Sequence, residues 1–117
     1  MGYTVGDAIV ALHVAGIRAQ RGYPGKLMPH LKGAVVAVNV LKEESYKTTL
    51  VAEVCAPMTM GMYACEDMAA KVAKVWIAKG GACSYGDKGF DRKSGLYFLR
   101  VQGIWYDQAP ETESTET

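Results

Sequence analysis

At 117 residues, half of them hydrophobic and about a fifth charged, the chain has the size and make-up of one globular domain. Its net charge is +1, but four acids (Asp107, Glu111, Glu113 and Glu116) follow Tyr106, so the rest of the chain carries +5; that is far below the charge density of a dedicated DNA binder. No apolar run approaches the ~20 residues of a membrane-spanning helix.

Thr4-Val5-Gly6-Asp7 has the form of a capping box, with Asp7 close to the positive end of the helix it opens. Val5, Ala8, Ile9 and Leu12 follow at helical spacing, with Val10 and Val14 beside them. So wide an apolar surface predicts a helix covered on more than one side. The apolar stretch Ile9 to Ala15 also invites comparison with a signal peptide. It lacks a basic leader and Asp7 precedes it, so a capped helix and a cytoplasmic site of synthesis are expected. Gly16 supplies the left-handed stop.

Ile17 to Arg21 alternates apolar and polar residues, predicting a short strand with one wet face. Gly22-Tyr23-Pro24-Gly25 reads as a turn, and Lys26 to Gly33, with Pro29, as a loop. Ala34 to Leu41 is β-branched and apolar on both faces, as in an internal strand. Thr48 to Ala56 is a second strand that Pro57 ends. The charged stretch Lys42 to Lys47 joins the two as a moderately long hairpin loop.

After a short loop, Met58 to Gly61, a helix is expected from about Tyr63 to Lys79, with Met68, Val72, Val75 and Trp76 on its buried stripe and Gly80-Gly81 stopping it. Ala82 to Tyr85 reads as a short strand and Gly86 to Gly95 as a glycine-rich charged loop. Leu96 to Tyr106 is the longest strand, with Gly103 marking a bulge or bend. The predicted order is α-β-β-β-α-β-β: an α+β fold with two amphipathic helices packed on a mostly antiparallel sheet. Residues 1–106 form the domain. Residues 107–117 are polar and acidic and bury too little to offset their ordering entropy, so they are expected to be a disordered tail.

No catalytic, cofactor-binding or metal-binding motif emerges from these residues. The glycines never form GxGxxG or a P-loop, and they precede strands rather than helices. His13 and His30 have no second ligand at metal spacing. The cysteines Cys55, Cys65 and Cys83 form no CxxC pair and read as small packed thiols. Cys65 with either histidine would make a nucleophile pair only if the fold brought them together. Glu66 and Asp67, adjacent on a helix, diverge by about 100° and read as partners of the helix dipole before an acid–base pair.

Two kinds of surface remain. Met58, Met60 and Met62 form either a lid on the core or an oligomer contact. Arg18, Arg21, Lys26 and Lys32, and then Lys88, Arg92 and Lys93, are basic loop clusters, the second offset by Asp87 and Asp91. Solvated loop charge is the default for them. A faint echo between AGIRAQRGYPG and GGACSYGDKGF would, if real, set both clusters on the same side of the sheet. Single-strand binding would need aromatics with basic neighbours. Among Tyr97, Phe98, Trp105 and Tyr106 only Arg100 is basic.

The element order, with Gly16-Ile17-Arg18-Ala19-Gln20-Arg21-Gly22-Tyr23-Pro24-Gly25 after a short first helix, resembles the tail-completion proteins of long-tailed phages and prophages, also called tail terminators or head–tail joining proteins. The likeness runs from Thr4 to Tyr106. It implies a small structural subunit without enzymatic turnover. Such a subunit assembles into a ring, commonly a hexamer, in the host cytoplasm and ends up in the virion tail. Its implied partners are the tail-tube protein and the head connector, with DNA passing the loops and contacted weakly. A different tail or baseplate component, and a small nucleic-acid-binding module, are the alternatives.

Overall fold

The computed structural model describes residues 3–22 and 33–106. Two helices and five strands occur among them: α1 (Val5–Val14), β1 (Ala19–Arg21), β2 (Val35–Glu43), β3 (Lys47–Pro57), α2 (Gly61–Ala78), β4 (Ala82–Asp91) and β5 (Leu96–Tyr106). The α+β class and the order α-β-β-β-α-β-β are those expected. The sheet order is β1-β2-β3-β5-β4, with β1 parallel to β2 and every other pair antiparallel. The expected loop Lys26 to Lys32 and the acidic tail lie outside the described residues.

Local chemistry sets the helix ends. Thr4 Oγ1 accepts from the Asp7 amide and Asp7 Oδ2 accepts from the Thr4 amide, each at 3.0 Å, which closes the capping box. Gly80, at φ 91°, ends α2 in the left-handed region, and the Gly81 amide donates back to the Trp76 carbonyl at 3.0 Å.

Both helices pack on one face of the sheet, α1 over β1 and β2, and α2 over β3, β5 and part of β4. Period-two alternation supplies that face with Val36 and Val38, Leu50, Ala52 and Val54, and Leu99 and Val101. Against them lie Val5, Ala8 and Leu12 of α1 and Cys65, Ala69, Val72, Ala73 and Trp76 of α2. Trp76 joins the layers. Its indole is fully buried, donates to the Ala8 carbonyl at 3.4 Å and meets Trp105 edge-on at 5.3 Å. Trp105 in turn donates to the Lys79 carbonyl at 3.2 Å and stacks on Tyr3 at 4.4 Å. The opposite face carries a smaller cluster of Val35, Cys55 and Leu96 with Phe98 against it.

Four expectations change. First, α1 is covered on one side only: Val10 and Val14 are 59% and 84% exposed, opposite the stripe Val5–Ala8–Leu12. Second, the stripe of α2 is rotated toward Cys65, Ala69, Val72 and Trp76, and Met68 and Val75 form its half-buried flanks. Small residues occupy the middle because the helix lies close on the sheet.

Third, the β2–β3 connection is short. The strands extend to Glu43 and from Lys47, and the Glu44 carboxylate lies 3.7 Å from both Lys42 and Lys47, so the charged stretch continues the hairpin. Fourth, Gly86 to Asp91 is strand. β4 runs ten residues, with a register shift between Tyr85 and Lys88 that absorbs Gly86 and Asp87 as a bulge. Gly103 makes no bulge. It pairs regularly with Leu50 and Cys83.

Candidate assembly surfaces

The two basic clusters separate. Arg18 precedes β1 and Arg21 ends it at one edge of the sheet, and both are exposed. Lys88 lies on β4 at the other edge, with Arg92 and Lys93 in the turn that follows. Three strands stand between, so the edges are about 19 Å apart. The described members of the two clusters therefore make no common patch on one subunit. Lys26 and Lys32 lie outside the described residues. Lys88 is tied to Glu66 of α2 at 3.1 Å, so it braces the helix to the edge strand. Asp67 pairs with Lys71 one turn on, at 3.5 Å. Neither acid faces the other.

The methionines divide. Met58 and Met60 are exposed, while Met62 is half-buried and packs on the core. Only Met62 acts as a lid. Tyr63 beside them is also exposed.

The thiols sit in unreactive settings. Cys65 is buried and donates to the Tyr97 carbonyl at 3.3 Å. Burial, reinforced by Glu53, pushes Cys55 up to about 12, and burial pushes Cys65 up to about 11 and raises Cys83. A thiol so held stays protonated and is a poor nucleophile. His13 turns instead to β1, where Nε2 lies 2.7 Å from the Ala19 carbonyl oxygen. No group of three or more His, Cys, Asp or Glu with metal-binding geometry occurs among the described residues. Among them, too, no helix is long and apolar enough to cross a membrane.

Two shallow grooves border β4. One, of about 350 Å³, lies on the helix side between α2 and β4 and is lined by Glu66, Tyr85, Gly86, Lys88 and Leu99. The other, of about 400 Å³, lies on the far face, where Arg100 reaches both Glu53 and Asp87 at 3.3 Å with its guanidinium over the Phe98 ring. Neither gathers a nucleophile with a base.

On sequence grounds Val10 and Val14 are expected to be covered, Tyr85 to end a short strand and Phe90 to lie in a loop; all four are exposed, the first two on the outer side of α1 and the last two on β4. For α1 the signal was present: Val10 and Val14 are four apart and lie opposite the Val5–Ala8–Leu12 stripe. For β4 it was masked by reading the segment as loop. Comparison with protein-family models and with curated proteins finds no match to this chain.

Proposed function

We propose that this chain is a structural subunit of a phage or prophage tail, one that assembles into a ring, completes the tail tube and joins it to the head. The observation that carries the reading is the resemblance of element order and of the Gly16–Gly25 stretch to tail-completion proteins, and the exposed large apolar side chains are read in its light. Val10 and Val14 lie on α1 over the β1 side of the sheet, Tyr85 and Phe90 on the β4 edge, and Met58, Met60 and Tyr63 at the start of α2. They are spread around the molecule and do not converge on one concave site. Scatter of this kind is ordinary on a protein surface and leaves room for several neighbours without singling any out. The resemblance of element order and of the Gly16–Gly25 stretch supplies the identity of those neighbours: further copies of the chain, the tail-tube protein and the head connector.

A nucleic-acid module is the weaker reading, because the basic groups among the described residues would have to act from opposite edges of the sheet. DNA passing through a ring has to slide, and each neutralised phosphate adds affinity that holds it still. The offset charges Asp87-Lys88 and Asp91-Arg92-Lys93 suit such a passage.

The test is assembly. Light scattering across concentration, with and without purified tail tubes, should give a ring-sized species. The protein should also cosediment with tubes and restore their joining to heads. A monomer that ignores tubes and heads, and binds DNA tightly with sequence preference, would overturn the reading in favour of the nucleic-acid module.

A further inference from the structure

We draw no further inference here: the strongest candidate, the shallow groove of about 350 Å³ between α2 and the edge strand β4, has its two charged lining residues, Lys88 and Glu66, already paired at 3.1 Å, and nothing in the structure shows what covers it.

Discussion

Gly103 shows how one position can be read correctly as special and wrongly as to why. A glycine inside a strand suggests a bulge, yet β5 runs straight through it in register. A Cβ there would come within 2.8 Å of both Trp76 and Trp105. The missing side chain makes room for two indoles to meet edge to face. Gly103→Ala is expected to destabilise by about 1–3 kcal/mol through overpacking, measured by denaturant unfolding. The thiols make a second residue-scale case. Cys55 and Cys65 are raised in the folded chain from 9.0 to about 12 and about 11, burial being the first cause for both. A group raised on folding stabilises fully below its unfolded value, and that contribution is lost as pH climbs toward the folded one. Stability should therefore fall between pH 9 and 12, and Cys55→Ala should flatten that limb of the curve. At pH 8 a thiol reagent should label the half-buried Cys83 first and reach Cys55 and Cys65 only on unfolding. Fast labelling of Cys65 in the native protein would contradict its packing under α2.

Elements were legible where one local signal dominated. The capping box placed the start of α1 and Gly80 the end of α2, and apolar runs rich in β-branched and aromatic residues placed β2, β3 and β5. β4 was not legible, because Gly86, Gly89 and the charges between them carry the composition of a loop. An edge strand tolerates that composition. Only one side is hydrogen-bonded, Gly89 lies flat on the Phe98 ring, and the charged side chains reach solvent or a partner such as Glu66. The rotation of α2 was hidden for a related reason: hydrophobic size favoured Met68 and Val75, whereas close approach to the sheet favours Ala69 and Ala73. Trp76 belongs to both versions of the stripe. Trp76→Ala removes the indole between α1, α2 and β5 and is expected to cost about 3–5 kcal/mol. An unchanged melting temperature would contradict the packing of the two helices on one face.

At the scale of the whole molecule, the sequence located the charged clusters but not their separation. Sheet order decides that, and no local pattern in the chain encodes it. The echo between the two glycine-rich stretches pointed to a shared side, whereas the crossover from β3 through α2 to β4 leaves β4 at the far edge from β1. The same order dictates how the second cluster is probed. Lys88 to Asp91 makes up the last four of the ten residues of β4, so deleting them would cut into the edge strand, and substitution of Arg92 and Lys93 in the turn is the cleaner probe. It also sets the expected response to salt. Among the described residues, the β1 edge offers a DNA segment Arg18 and Arg21. The β4 edge offers Arg92 and Lys93, with Lys88 already engaged by Glu66. About two cations per edge predict a slope near −2 for log affinity against log salt in the unassembled protein, with weak binding throughout. Fluorescence anisotropy on duplex DNA across a salt series measures it. Replacing Arg92 and Lys93 by Gln should shallow the slope only if the β4 edge is the one in contact. A slope steeper than about −5 would require many cations on one face, and this sheet, with its basic groups parted to opposite edges, has no such face among its described residues.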